Sequence, residues 1–246
     1  MRQHGFQRPF SWTQALVVAG SLLSTCLFSA GTLPLLPKTA VYFAGAVYSL
    51  LTFLTAGLWV SLTASDPTDL TVNGGKWCTR CQLFVNVRSC HCRQCHRCVI
   101  NLDHHCKWLN NCIGEVNYYR FLALSGVFIV QSSFELTLSC VVLALLTEGD
   151  KETAELAAAR LPEMENAVLT CALFTGVVLA VATVRVFLML PLMVFHVYLR
   201  CVGLTTYTYF VGKFRKPAVA PSTAHIELEP KVNTTVPEED SANPGK

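Results

Sequence analysis

Four long apolar runs, at residues 12–33, 40–64, 121–146 and 167–199, constrain this chain more than any other feature. Each exceeds the roughly 20 residues that a helix needs to cross a bilayer. Because lipid cannot hydrogen-bond to the backbone, runs of this length are expected to be helices. Only 14% of the residues are charged, against roughly 25% in soluble domains. We predict an all-α polytopic membrane protein with four transmembrane helices, the first too long for the core of a cleaved signal peptide.

The distribution of charge predicts how these helices are oriented. Residues 1–11 contain Arg2 and Arg8 and no acidic residue, whereas the loop 147–166 is acidic. The segment between the second and third runs is basic, with Lys76, Arg80, Arg88, Arg93, Arg97, Lys107 and Arg120. By the positive-inside rule, both termini and this segment are cytosolic, and the loop 147–166 is lumenal. The net charge of +3 is too small to indicate nucleic-acid binding.

These features divide the chain into five parts. Residues 1–11 form a cytosolic N-terminus, 12–64 the first two helices, and 65–120 a cytosolic cysteine-rich domain. Residues 121–199 form helices three and four with the acidic loop between them. Residues 200–246 form a cytosolic tail, which composition predicts to be disordered from about residue 217.

The cysteine-rich segment has the composition of a metal-binding domain. Eight of the twelve cysteines, with four histidines, lie within residues 78–112. Short-spaced cysteine pairs can each supply half of a tetrahedral zinc site, and the reducing cytosol favours metal thiolates over disulfides. We predict eight ligands for two structural Zn²⁺ ions: Cys78, Cys81, His91, Cys92, Cys95, Cys98, His105 and Cys112. Spacing alone does not decide which ligand binds which ion. Cys90 and His96 are surplus, either spare ligands or, as we favour, ordinary surface residues.

Cys106 has no ion to bind once these eight ligands are assigned. In an extended segment alternate residues share a face, so Cys106 and His104 lie together while His105 points toward the metal. Asp103 can then orient the imidazole, which gives a nucleophile, a base and an orienting carboxylate. A neighbouring imidazolium lowers the pKa of a thiol, and Lys107 adds positive charge. The alternative is that all three residues belong to the zinc shell.

The stretch from Lys76 to Phe121, which contains Asp103-His104-His105-Cys106 and Asn111-Cys112-Ile113-Gly114, resembles the DHHC family of membrane protein S-acyltransferases. The four-helix layout, with the insert between helices two and three, is also similar to that family. The resemblance implies interleaved zinc sites. It assigns one ion to Cys78, Cys81, His91 and Cys98, and the other to Cys92, Cys95, His105 and Cys112.

The resemblance also implies an activity, protein-cysteine S-palmitoylation in two steps. Cys106 would take a long-chain acyl group from palmitoyl-CoA, and His104 would then deprotonate the accepting thiol. Arg88, Lys107 and Trp108 are the candidates for binding acyl-CoA, with the acyl chain among the helices. The implied acceptors are membrane-associated proteins with cytosolic juxtamembrane cysteines. The implied location is the endoplasmic reticulum or Golgi.

Three positions depart from the family pattern. Lys107 follows Cys106 where the family usually has Pro. The Asp-Pro-Gly after the second helix reads Asp66-Pro67-Thr68, and the Thr-Thr-x-Glu after the fourth reads Thr205-Thr206-Tyr207-Thr208. These departures leave open a zinc-containing membrane adaptor that acts through protein binding. A zinc-dependent ubiquitin ligase agrees less well with the adjacent His91-Cys92.

The apolar runs contain a few residues that need separate interpretation. For Arg185 we favour pairing in the bundle or snorkelling to the interface over contact with an acyl-CoA phosphate. Pro191 predicts a kink in the long fourth run unless that helix tilts. We interpret Cys26, Cys140, Cys171 and Cys201 as packing residues, with lipidation as an alternative for Cys201.

Overall fold

A computed structural model describes residues 2–71 and 75–214 of the chain. Its helices are α1 (Trp12–Leu27), α2 (Lys38–Ala64), α3 (Tyr118–Glu148), α4 (Lys151–Arg160), α5 (Ala167–Cys201) and α6 (Thr206–Phe214). A π-helical turn (Phe28–Thr32) and a 3₁₀ turn (Leu33–Leu35) extend α1. Within the described residues, four segments are long and apolar enough to cross a membrane: Trp12–Leu35, α2, α3 and α5. The predicted architecture of four apolar helices, that of a multi-pass membrane protein, is confirmed.

The ends of these helices differ in detail from the sequence prediction. Helix α3 begins at Tyr118, three residues earlier than expected, and α6 lies in the segment interpreted as tail. The acidic loop 147–166 contains α4, which Asp150 caps by accepting a hydrogen bond from the Thr153 amide at 2.9 Å. Helix α5 is 35 residues long and continues past Pro191 without ending. At the usual rise it measures about 52 Å. The prediction of disorder from about residue 217 lies outside the described residues.

A buried polar cluster joins the four apolar helices. The Arg185 guanidinium of α5 donates to Glu135 Oε2 of α3 at 2.6 Å and to Ser24 Oγ of α1 at 2.7 Å. The Tyr48 hydroxyl of α2 donates to Glu135 Oε1 at 2.7 Å. Glu135 is fully buried. The favoured interpretation of Arg185, pairing within the bundle, is therefore confirmed, and hydrogen bonds with Ser24 and Tyr48 link α1 and α2 to the same ion pair.

The cysteines outside the insert are less buried than we expected. Cys171 is buried, as the packing interpretation requires. Cys26, Cys140 and Cys201 are exposed on the protein surface, so that interpretation was wrong for these three residues. Apolar side chains can face outward here because lipid tails are as apolar as a protein core.

The insert corrects the all-α prediction. Its described part contains six short strands: β1 (Lys76–Cys78), β2 (Leu83–Val85), β3 (Ser89–Cys92), β4 (Arg97–Ile100), β5 (His104–Cys106) and β6 (Asn111–Ile113). They pair as three separate antiparallel hairpins, β1 with β2, β3 with β4 and β5 with β6. The residue just before the second strand of each hairpin has positive φ: Gln82, His96 and Asn110. Short ligand-bearing segments thus fold back through tight turns, and the surplus His96 is a turn residue.

Arg97 holds the insert against the end of the bundle. Its guanidinium is fully buried and donates to Asp66 Oδ1 at 3.1 Å, to the Gln3 carbonyl at 2.5 Å and to Asn111 Oδ1. The Asn111 amide in turn donates to the Leu62 carbonyl at 2.9 Å. The altered Asp66-Pro67-Thr68 sequence therefore keeps a contact between α2 and the insert through its aspartate.

The polar cluster gives a test of the bundle. Replacing Arg185 with Leu should lower the free energy of unfolding by about 3–5 kcal/mol, because Glu135 is left buried without its partner. Replacing both Glu135 and Arg185 with Leu should be less harmful than either single change. Thermal unfolding of the purified chain in detergent measures the effect, with exposed Glu155→Leu as the control. Strictly additive losses in the double variant would contradict the pairing.

Candidate functional site

The described part of the insert holds two clusters of potential metal ligands. The first contains Cys78, Cys81, His91 and Cys98, and the second contains Cys92, Cys95, His105 and Cys112. Within each cluster, the ligand atoms all lie within 4.8 Å of one another. These are the two groups that the family resemblance implied, and within the described residues Cys90 and His96 belong to neither.

The distances in both clusters suit tetrahedral zinc. His91 Nδ1 lies 3.2, 3.8 and 3.9 Å from the sulfurs of Cys81, Cys78 and Cys98. His105 Nδ1 lies 3.3, 3.8 and 3.8 Å from those of Cys95, Cys92 and Cys112. A tetrahedron with usual Zn–N and Zn–S bonds separates nitrogen from sulfur by about 3.6 Å. The donor sets therefore fit Zn²⁺ without rearrangement.

Strand register explains why the clusters interleave. In the β3–β4 hairpin His91 stands opposite Cys98, and both belong to the first cluster. Cys92, at the end of β3, and Cys95, in the turn of the hairpin, belong to the second cluster. In the β5–β6 hairpin His105 stands opposite Cys112. The middle hairpin thus supplies ligands to both clusters, so that each ion would link two hairpins.

Cys106 lies outside both clusters, next to a buried carboxylate and an imidazole. Because β5 is extended, His104 and Cys106 share the face opposite His105. The His104 Nδ1–H donates to Asp103 Oδ2 at 2.7 Å, which leaves Nε2 available to the thiol. Burial lowers the pKa of His104, but hydrogen bonding to Asp103 and Cys106 outweighs it and raises the pKa to about 9. The arrangement can hold a protonated imidazole beside the Cys106 thiol.

Thr206, at the start of α6, holds Asp103 from the opposite side. Its amide donates to Asp103 Oδ1 at 2.8 Å and its hydroxyl to Oδ2 at 2.8 Å. Burial raises the pKa of Asp103, but the hydrogen bonds from His104 and Thr206 outweigh it and hold that pKa below its usual value. The Thr-Thr sequence after α5 thus retains a contact with the site although the family's Glu is absent.

Sequence reasoning missed His196, which α5 contributes to the same site. The residue is 2% exposed, and its ring centroid lies 5.6 Å from that of His104 and 5.0 Å from that of Phe121. Its Nδ1 lies 3.2 Å from the Tyr118 hydroxyl and 3.8 Å from Asp103 Oδ2. The available signal was a histidine inside an apolar run, since ionisable residues in such runs are usually functional.

The thiol itself faces the apolar bundle. Cys106 is 5% exposed and packs in a cluster with Leu62, Leu109, Ile113, Tyr118 and Phe121. The turn after it is held by the N-terminal part of the chain: Thr13 donates to the Lys107 carbonyl at 2.9 Å, and Asn110 donates to the Gly5 carbonyl at 3.0 Å. The nucleophile candidate therefore lies where the insert meets the ends of α2 and α3.

The candidates for acyl-CoA binding lie in two places. Lys107 and Trp108 are exposed on the β5–β6 turn, directly after Cys106. Arg88 is exposed on the approach to β3 and forms an ion pair with Glu115 at 3.6 Å. The predicted roles of all three residues in acyl-CoA binding remain predictions.

The apolar helices, the metal-ligand clusters and the Cys106 centre together define a multi-pass membrane protein with a cysteine-rich metal-binding domain. Residues 71–213 match the model of the family described as DHHC palmitoyltransferase. The match covers more than half of the chain, which therefore belongs to this family. The resemblance recognised in the sequence is thereby confirmed.

Curated relatives agree with this assignment. The chain is 34% identical to "Probable protein S-acyltransferase 20" of Arabidopsis thaliana over 153 residues, 62% of this chain and 21% of the relative. It is 47% identical to "Palmitoyltransferase ERF2" of Kluyveromyces lactis over 29% of this chain and 18% of the relative. It is 43% identical to human "Palmitoyltransferase ZDHHC23" over 26% of this chain and 15% of the relative. The chain thus spans only about a fifth of the length of these relatives.

The two clusters predict a defined metal content. Purified protein should contain two zinc ions per chain by elemental mass spectrometry, one for each group of ligands. His91→Ala should lower the content toward one, because it removes a ligand of the first cluster only. The matched control, Cys90→Ala in the same strand, should retain two ions. Equal losses in both variants would contradict the ligand assignment.

Proposed function

We propose that this protein is a protein-cysteine S-palmitoyltransferase that works through an acyl-enzyme on Cys106. The observation that carries the proposal is the Cys106–His104–Asp103 arrangement, buried where the insert meets the bundle. Membership of the DHHC palmitoyltransferase family and the relatives named palmitoyltransferase or S-acyltransferase support it. Lys107, which stands where the family usually has Pro, directly follows Cys106 in the chain and adds a positive charge there.

In the first step the Cys106 thiolate attacks the thioester carbonyl of a long-chain acyl-CoA. A new Sγ–C bond forms, the bond from carbonyl carbon to CoA sulfur breaks, and His104 gives its proton to the departing CoA thiolate. Asp103 keeps the imidazole oriented because its hydrogen bond to Nδ1 fixes which nitrogen faces the thiol. The neutral His104 that remains is then ready to act as a base.

In the second step a cysteine of a membrane-associated protein takes the acyl group. His104 accepts the proton of the incoming thiol as its sulfur attacks the Cys106 thioester, and the thiolate of Cys106 is regenerated beside the imidazolium. Exchange of one thioester for another is nearly isoenergetic, so catalysis depends largely on positioning. The buried Asp103, held by Thr206 and His104, supplies that positioning.

The acyl chain would follow the apolar surface that surrounds the thiol. Leu62, Tyr118 and Phe121 pack against Cys106 at the ends of α2 and α3, so a chain attached to the sulfur can enter the bundle. Lys107 and Trp108 stand exposed beside it, where a CoA headgroup would remain in water. Arg88, at the other edge of the insert, would interact with CoA phosphates if its ion pair with Glu115 opens.

Two structural Zn²⁺ ions would support this chemistry by linking the three hairpins. Metal coordination can replace a hydrophobic core in so small a domain, and the buried cluster around Val99 and Leu102 consists mostly of ligand cysteines. Because His105 is a ligand candidate between His104 and Cys106, metal binding would fix the strand that carries both reactive side chains.

The charge distribution supports an orientation for the reaction. With the basic insert and both termini in the cytosol, Cys106 faces the compartment that holds acyl-CoA, and loop 147–166 faces the lumen. The accepting cysteines would then be cytosolic and close to the membrane. The endoplasmic reticulum or Golgi is the location that the family resemblance implies.

Autoacylation tests the proposal directly. Purified chain incubated with a clickable palmitoyl-CoA analogue should acquire hydroxylamine-sensitive label. Cys106→Ser should lose the label and keep both zinc ions, whereas Cys90→Ser should retain it. An unlabelled wild-type protein that is folded and zinc-loaded would instead favour the non-catalytic adaptor.

Loss of the contact between Thr206 and Asp103 should slow autoacylation less than loss of the Cys106 thiol does. Thr206→Val removes the hydroxyl donor to Asp103 Oδ2. A hydrogen bond to a charged group is worth about 1.5–3 kcal/mol, so autoacylation should slow roughly 10- to 100-fold. Thr206→Ser keeps the hydroxyl and should stay near the wild-type rate. A valine variant as fast as the serine variant would show that this hydroxyl does not position Asp103.

A further inference from the structure

We infer that Asp103, His104 and His196 form a third divalent-metal site, which binds Zn²⁺ in addition to the two structural ions and blocks the active centre. The three side chains come from two parts of the fold, the insert and α5. Each offers one ligand atom, and these atoms lie within 4.8 Å of one another. None of the three belongs to the two structural clusters.

The distances are close to those of a metal site. His104 Nδ1 is 2.7 Å and His196 Nδ1 is 3.8 Å from the same oxygen, Asp103 Oδ2. Nitrogen and oxygen ligands of tetrahedral zinc lie about 3.3 Å apart at the usual bond lengths. Both distances to Asp103 Oδ2 are therefore within about half an ångström of the tetrahedral value, and all three ligand atoms lie within 4.8 Å of one another.

The donor set also suits the metal. Two imidazoles and one carboxylate, with water at the fourth position, are the ligands of open zinc sites in proteins. Asp103 would keep both hydrogen bonds from Thr206, since a carboxylate has about four acceptor positions. Such anchoring of a ligand by outer hydrogen bonds strengthens metal sites. His104 is 24% exposed, which provides a route for entry.

Binding would require two local changes with a balanced transfer of protons. The proton between His104 Nδ1 and Asp103 leaves to solvent, because a ligand nitrogen must be unprotonated. The Tyr118 hydroxyl, 3.2 Å from His196 Nδ1, gives up that contact and can still donate to the His196 carbonyl at 3.4 Å. Binding changes no oxidation state, since Zn²⁺ is redox-inactive.

The consequence would be inhibition, and this half of the inference rests on the proposed function. With the metal bound, His104 can neither give a proton to the CoA thiolate nor take one from the accepting thiol. The binding half does not depend on acyl transfer. Metal content is therefore the primary measurement, and autoacylation is the secondary one.

The experiment uses the purified full chain in detergent, first equilibrated with a weak chelator that leaves the two tightly held ions. Zinc is then added, and bound metal per chain is followed by equilibrium dialysis and elemental mass spectrometry. The expected result is a rise from two ions to three. Autoacylation should fall over the same range of free zinc and recover when the chelator is added again.

Variants assign the third ion. His196→Gln should keep two ions but bind the third more than about tenfold more weakly, because a ligand is lost. His104→Gln should weaken it likewise, which provides a second test if the buried His196 variant fails to fold. The matched control is His96→Gln, since His96 is an exposed histidine on the β3–β4 turn outside this site. It should bind the third ion as the wild type does.

Three results would overturn the inference. One is a wild-type protein that holds two ions at every zinc concentration, and another is a His104→Gln variant that keeps full affinity for a third. A third ion lost in His96→Gln would place the binding on the insert surface. A third ion assigned to His104 and His196 in a protein that never autoacylates would support the site while rejecting the proposed function.

Discussion

The buried guanidinium of Arg97 connects parts of the protein that share little apolar surface. It is fully buried and bonds to Gln3 in the N-terminal segment, Asp66 after α2 and Asn111 on β6. A buried charge is costly unless it is paired and hydrogen-bonded, and both terminal nitrogens of Arg97, though not its Nε, have partners among the described residues. The three segments must therefore assemble together, and this assembly brings Cys106 to the ends of α2 and α3.

The helix bundle and the insert are held together by different interactions, and the candidate active centre lies where the two parts meet. The helices are apolar on their outer faces and are joined inside by the Glu135–Arg185 pair. The insert has hairpins of three or four residues per strand and clusters of thiols and imidazoles instead of an apolar core. Asp103 belongs to the insert but is held by Thr206 of α6, so neither part forms the centre alone.

The sequence predicted those features that depend on local pattern or residue type. Run length predicted the four apolar helices, and ligand spacing predicted which residues gather into clusters, although only the family resemblance predicted the grouping. The hairpins were missed because their strands are too short for an alternating pattern to be visible. His196 and Thr206 were missed as site residues because their contacts with Asp103 span about a hundred positions in the chain. A histidine in an apolar run and a Thr-Thr motif marked them as unusual, but neither signal identified Asp103 as their partner.

The Thr206 amide has a further use as an internal reporter. This amide lies in the first turn of α6, where a helix leaves its amides without helical partners, and its only described acceptor is Asp103 Oδ1 of the insert. That hydrogen can exchange with solvent only when α6 separates from the insert. Its exchange rate would therefore measure how often the candidate active centre comes apart, in a resting protein with no substrate present.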